Sequence, residues 1–349
     1  MRFAARQRRF ARVNQWPALN ALLKAGLLIL LLTNTFKLYA DNKITDPPAV
    51  ASDKASQGLL LDITALPSSQ RLVAVGERGH IVYSDDQGKN WQQAKVPTSQ
   101  LITALHFVDQ QQGWAVGHDS IILATNDGGA TWQRQYDNLA VEAPLLDVWF
   151  INTQEGFVVG AYGQILRTTD GGNNWQDWSH TIENEEEFHY NSITAIDNDR
   201  LMIVGEAGLL YRSVNRGKNW ELLESPYEGS LFGAVASGIP DGALIFGLRG
   251  HVFRTNDFGD TWQQVKVNTE QGLYGGQLLA SQQITIVGNA GVVLVSKDAG
   301  VNFQVMQRAD RKALSNVASL ANQNLVLVGE GGVKLASPFG KPLVNKITE

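Results

Sequence analysis

One feature constrains this chain more than any other. An apolar run ending in Val-Gly or Phe-Gly returns seven times, at Val75-Gly76, Val116-Gly117, Val159-Gly160, Val204-Gly205, Phe246-Gly247, Val287-Gly288 and Val328-Gly329. The intervals between those glycines are 41, 43, 45, 42, 41 and 41 residues. A second glycine follows three positions later at Gly79, Gly163, Gly208, Gly250, Gly291 and Gly332, and the second copy carries Ser120 instead. A fixed period of this length marks a repeat architecture. One unit cannot bury its apolar faces alone, so neighbouring units must stack.

A second element lies about a dozen residues after each Val-Gly. It reads Ser/Thr-x-Asp-x-Gly-x-Thr/Asn-Trp, at Ser84–Trp91, Thr125–Trp132, Thr168–Trp175, Ser213–Trp220, Thr255–Trp262 and Ser296–Phe303. Asn215 replaces the aspartate in the fourth copy, Phe303 replaces the tryptophan in the sixth, and the seventh keeps only Ser337 and Gly340. The pattern suits a turn between antiparallel strands. The carboxylate accepts bonds from backbone N–H groups within the turn. The glycine takes a positive φ, and the indole opens the next strand and packs on the neighbouring sheet. Asp86, Asp127, Asp170, Asp257 and Asp298 are therefore read as structural, with Trp91, Trp132, Trp175, Trp220 and Trp262 beside them. No metal is expected at these aspartates.

Each repeat holds four apolar stretches. In the third they are 145–151, 156–159, 164–168 and 174–178. Four antiparallel strands in forty-odd residues make a propeller blade. The expected fold is all-β, a single seven-bladed β-propeller of four-stranded antiparallel blades over residues 58–349. The outer strand of the last blade comes either from 342–348 or from the segment before Leu59.

Ahead of the repeats, residues 1–40 carry seven bases and no acid, and include the apolar run 25–33, the polar Asn34 and Thr35, and Leu38-Tyr39-Ala40 just before Asp41. This reads as a signal peptide or an N-terminal membrane anchor, and the run is shorter than the ~20 residues of a comfortable span. Residues 41–57, with Pro47-Pro48, read as a linker. Without the first 40 residues, 22 of the 29 bases remain against 34 acids, a formal charge of −12. Such a surface repels nucleic acid. Cysteine is absent, which excludes disulfides, thiolate metal sites and cysteine nucleophiles. No phosphate-cradling glycine loop stands out, because the Gly-x-x-Gly turns join strands and open no helix. No cofactor is expected.

These residues resemble a known family. The segments Gly156-Phe-Val-Val-Gly160, Gly163-Gln-Ile-Leu-Arg-Thr168 and Asp170-Gly-Gly-Asn-Asn-Trp175 are similar to BNR/Asp-box propellers, and more closely to the photosystem II stability and assembly factor family. The resemblance covers residues 57–340. It implies a seven-bladed propeller exported to a periplasm, or to a thylakoid lumen in a photosynthetic cell. It also implies chaperone-like binding of a membrane protein, or of its exposed segment, through an arginine-bearing surface, by a monomer without enzymatic activity. Arg78 and Arg249 share one turn position, and Arg167, Arg212 and Arg254 recur before the Asp box on successive blades. A strand arginine also has a structural reading, stacked on an indole or paired between blades.

Turns joining second to third strands share a face with the links between blades, and binding favours that face. Further partner-binding candidates there are Tyr162, His118, Glu206, Glu330, His189 and Tyr190. The longest link, 176–191, adds an acidic and aromatic cluster. The alternatives are a sialidase-like glycoside hydrolase, with Glu185–Glu187 and Glu206 as its only nominees, and a glycan-binding lectin.

Overall fold

The computed structural model describes residues 46–138 and 143–343. The expected signal or anchor at 1–40 lies outside the described residues, as do 41–45 and 344–349.

The chain is an all-β, seven-bladed propeller. Among the described residues, six sheets have four antiparallel strands and the seventh has three. In the first blade, Leu60–Ala65, Leu72–Gly76, Ile81–Ser84 and Gln92–Gln93 run in order from axis to rim. The other inner strands are Ile102–Phe107, Leu145–Phe150, Tyr190–Ala195, Leu231–Ala236, Leu273–Leu278 and Leu314–Ser319. Each packs against the inner strands of its neighbours, and the last packs against the first.

Burial explains the composition strand by strand. Every second strand is buried along its whole length, from Leu72–Gly76 to Leu325–Gly329. Both of its faces meet neighbouring blades, so it reads as a continuous apolar run rather than an alternation. The glycine that ends it answers a close approach. A Cβ on Gly76 would lie 2.1 Å from the Leu59 carbonyl oxygen, and one on Gly205 would lie 2.3 Å from that of His189.

Side chains between blades knit the ring. Trp114 of blade two stacks on Phe150 of blade three with centroids 3.5 Å apart. Such an aromatic pair contributes about 0.5–1.5 kcal/mol beyond its burial. Blades seven and one share a core that includes Leu60, Ile63, Val326 and Val328. Asn316 donates to Asp62 at 2.5 Å across 254 residues of sequence.

Two details refine the expectations. Pro342 bridges to Ala336 and the Leu343 N–H donates to the Leu335 carbonyl, so the outer edge of blade seven is taken up from the C-terminal side. The described linker residues, 47–57, are not detached from the propeller. Ala49 N–H donates to Val96 O, Val333 N–H donates to Ser56 O, and Ala55 is 3% exposed within the core shared by blades seven and one.

Candidate functional site

The Asp-box turns close the third strand onto the outer strand. In the first, Asp86 Oδ1 accepts from the N–H groups of Lys89 and Asn90 and from the Ser84 hydroxyl, while Oδ2 accepts from Asn90 Nδ2 at 2.6 Å. Asp127, Asp170, Asp257 and Asp298 repeat the arrangement, and Asn215 keeps its acceptor half. Hydrogen bonds from Asn90 hold the Asp86 carboxyl down at about 2, and those from Thr255 and Thr261 do the same for Asp257. The tryptophans pack at the seam with the preceding blade. Trp132 meets Phe107 of its own blade edge-on at 6.0 Å within a core shared with Leu66 and Val73 of blade one, and Trp220 meets Phe157 of the preceding blade at 6.5 Å.

The repeated strand arginines belong to this same end of the blades. Arg212 forms ion pairs with Glu221 at 2.9 Å and with Asp260 of the next blade at 2.6 Å. Arg254 donates to the Ala299 carbonyl, also one blade on. Arg167 lies over the Trp178 ring at 4.9 Å. Arg71, which sequence reasoning overlooked, reaches the Asp127 and Gly128 carbonyls of the next Asp box. Arg71, Arg212 and Arg254 tie blade to blade, while Arg167 stacks on rings of its own blade and the link after it.

The opposite face carries the second-to-third strand turns and the blade-to-blade links. All seven turns place their second residue in the left-handed region: Arg78 (φ 57°), Asp119 (56°), Tyr162 (56°), Ala207 (51°), Arg249 (56°), Ala290 (52°) and Gly331 (75°). The third position is also left-handed and too crowded for most side chains. A Cβ on Gly208 would sit 1.9 Å from the Tyr227 carbonyl oxygen. Ser120 occupies this position in blade two at φ 53°, and its hydroxyl bonds to Ala143 O. The backbone frame is thus constant, and it projects whatever residue holds the second place.

Several expected residues meet on this face. Arg78, His118, Arg249 and Glu330 are exposed at their turns. Tyr162 is 59% exposed, an unusual state for a bulky left-handed residue. His189 meets its ring edge-on at 5.0 Å, and His189 Nδ1 lies 3.9 Å from Glu206. Glu206 and Glu330 also accept backbone N–H groups, from His189 and Ala313, so each braces its adjoining link. Tyr190 corrects an expectation: it is fully buried, and the sequence reading mistook the first residue of an inner strand for the end of a loop. Glu185, Glu186 and Glu187 stand exposed on their loop, away from the axial cavity.

The face opens at its centre into an axial cavity of about 220 Å³, lined by all seven inner strands. Every inner strand slips register between its first and third residues, a bulge repeated seven times. The third residue is Asp62 in blade one and Asp147 in blade three, and neither was picked out from the sequence. Asp62 accepts from Ile63 N, Leu105 N and Asn316 Nδ2; Asp147 accepts from Val148 N, Ile193 N and the Ser192 hydroxyl. Burial pushes Asp62 up to about 6 and Asp147 to about 7, against the pull of those hydrogen bonds.

The family model described as "Photosynthesis system II assembly factor YCF48" matches residues 84–141 and 134–278. The photosystem II assembly protein Ycf48 of Thermosynechococcus vestitus is 30% identical over 208 residues, 59% of this chain and 59% of that protein. The chain thus spans about three fifths of the length of that curated relative. Among solved structures, "YCF48 bound to D1 peptide" superposes with a TM-score of 0.65 at 17% identity, covering 84% of this chain and 99% of that one. A streptogramin B lyase superposes with a TM-score of 0.67 at 13% identity, covering 82% and 95%. Likeness at those identities establishes the fold alone, and the same fold serves a lyase. The family match spans more than half of the chain, and by it this chain belongs to the photosynthesis system II assembly factor YCF48 family.

Proposed function

We propose that this chain is an exported, non-enzymatic scaffold whose loop face holds an exposed segment of a membrane protein while a membrane complex is assembled or stabilised. The family match over residues 84–278 carries this reading. A relative with this fold is described as bound to a D1 peptide, and a photosystem II subunit is the corresponding proposed partner here. The face supports the reading physically. Rigid blades hold seven turns in one backbone state, so the backbone that presents these side chains has little conformational entropy left to lose on binding. Arg78 and Arg249 offer charge, and Tyr162 with His189 offers an aromatic anchor of the kind that dominates interfaces.

The test is capture from solubilised membranes by the tagged chain, with captured proteins identified by mass spectrometry. The proposal expects one membrane protein to be enriched, and expects substitution of Arg78, Tyr162 and Arg249 by alanine to abolish its capture without lowering the melting temperature. Equal capture by this variant would contradict the assignment of the face. Absence of any enriched membrane protein would contradict the scaffold reading.

A further inference from the structure

Two carboxylates, Asp62 and Asp147, line the axial cavity without a cation. The donors around them are backbone N–H groups, the Asn316 amide and the Ser192 hydroxyl, all neutral. Among the described residues, neither forms a salt bridge, and the one charge that acts on Asp147 is Asp62, which repels it. Both side chains are half-buried in the cavity wall, where a carboxylate drawn away from water is ordinarily paired or hydrogen-bonded in full. A carboxylate has about four acceptor positions, and three are filled on each of these, so each keeps one spare. Their hydrogen bonds fix them in place, which makes them preorganised acceptors.

The wall across the axis has a different chemistry. In a ring of seven, blades five and six stand opposite blade two, and therefore opposite the gap between Asp62 in blade one and Asp147 in blade three. Blades five and six contribute Phe232 and Tyr274, whose rings lie 5.5 Å apart. Where blades one and three carry aspartate, these two carry Gly233 and Gly275, whose missing Cβ atoms make room for the Phe246 ring and the Ser315 carbonyl. Tyr274 is 41% exposed at the mouth. The cavity, at about 220 Å³, is smaller than the ~300 Å³ at which drug-sized pockets begin, and suits a group the size of one side chain.

We propose that the axial cavity is a binding site for an organic cation, a guanidinium above all, seated with its charge between Asp62 and Asp147 and against the inclined rings of Phe232 and Tyr274. A guanidinium matches both walls: its fork of N–H donors meets carboxylate oxygens, and its plane stacks on aromatic rings. A metal ion fits less well. Among the described residues no group of three or more His, Cys, Asp and Glu gathers around any point, and calcium asks for about six to eight oxygens. The site stands independently of the loop-face proposal. The cation arrives either as a free small molecule or as an arginine side chain of a bound segment, and the chemistry is the same for both.

Calorimetric titration of the full chain tests this with four probes: ethylguanidinium, the amidated peptide Gly-Gly-Arg-Gly-Gly, its Gln counterpart and calcium chloride. Saturable one-to-one binding of a guanidinium probe, with none for the Gln peptide, supports the site. Binding must also release protons near pH 6.5, because a cation draws both carboxyls into their charged form; titration in buffers of different ionisation enthalpy reads this directly. Tighter binding of the Arg peptide than of ethylguanidinium assigns the cation to a partner's side chain, and the reverse assigns it to a free molecule. Asp62→Asn and Asp147→Asn each weaken binding by at least about tenfold. Tyr274→Leu, at the exposed mouth, weakens it less and leaves the proton release in place. The proposal is overturned if neither guanidinium probe saturates, if binding releases no protons, or if calcium binds and guanidinium does not.

Discussion

At the Asp-box end of the ring, one set of side chains is used again and again: a hydroxyl, an aspartate, a glycine and an aromatic ring close five of the seven hairpins through the same bonds. At the opposite end the constant element is the backbone. Seven turns share a left-handed second residue, yet that residue is Arg, Asp, Tyr, Ala, Arg, Ala and Gly in turn. Repeated side chains mean that one structural problem recurs in every blade. Varied side chains on a repeated backbone mean that the structural problem has been solved elsewhere, leaving the side chain free to serve another purpose. The comparison assigns stability to one face and recognition to the other, and it can be broken at several points.

The largest effect is expected where the loop-face frame itself is attacked. Gly208→Ala places a Cβ 1.9 Å from the Tyr227 carbonyl oxygen at φ +79°, and should destabilise by about 2–4 kcal/mol in denaturant titration. Its neighbour Ala207 is exposed on the same turn, and Ala207→Arg should change stability by less than about 0.5 kcal/mol. Equal effects would dissolve the distinction between frame and projecting residue.

Acidity separates the axis from the Asp boxes. The folded chain holds Asp62 at about 6 and Asp147 at about 7, above the ~3.9 of an unfolded aspartate. It therefore binds protons that the unfolded chain has released, and stability rises as pH falls from roughly 7 towards 4. Below roughly pH 4 the sign reverses. Asp86 and Asp257, held down at about 2, lose their stabilising contribution as they are protonated. His106, which burial pushes down to about 4, opposes this rise over the same range, but the two aspartates together outweigh it, and melting temperature should peak in mildly acid solution. The double substitution Asp62→Asn and Asp147→Asn should abolish the rise, leaving stability to fall as pH drops below about 6.5, with the acid limb unchanged.

A smaller effect is expected at a single hairpin. Asp170→Ala leaves the Asn174 N–H and amide without their acceptor and should destabilise by about 1–2 kcal/mol, with no loss of membrane-protein capture. Smallest is Tyr162→Asn. Asparagine tolerates the left-handed region that tyrosine avoids, so stability should hold or rise by a few tenths of a kcal/mol while capture falls. A drop in stability would move Tyr162 into the structural class.

Much of this was legible in the sequence because the informative positions recur. The Val-Gly runs, the Asp box and the blade count all follow from a period near forty-two residues, and the ring they imply is the ring observed. What recurs without a distinctive residue was harder to read. The first position of every inner strand is buried, from Leu60 to Leu314, and that pattern would have removed Tyr190 from the surface candidates. Asp62 and Asp147 escaped notice for a different reason. Each is a lone acid in an apolar strand, and its donors, Leu105 and Asn316 for one, Ser192 and Ile193 for the other, come from adjacent blades that no local window brings together. Arg212 and Arg254 were seen, but the Asp boxes that engage them lie more than forty residues away in sequence.

The central claim is that recognition belongs to the loop face, and amide hydrogen exchange of the chain with and without its captured membrane protein tests it most directly. The account predicts new protection at Glu77–Gly79, Ala161–Gly163 and Leu248–Gly250 and at the adjoining links, with the Asp-box turns at 86–90, 170–174 and 257–261 exchanging as before. Protection confined to those Asp-box turns, with the loop face unaltered, would contradict it.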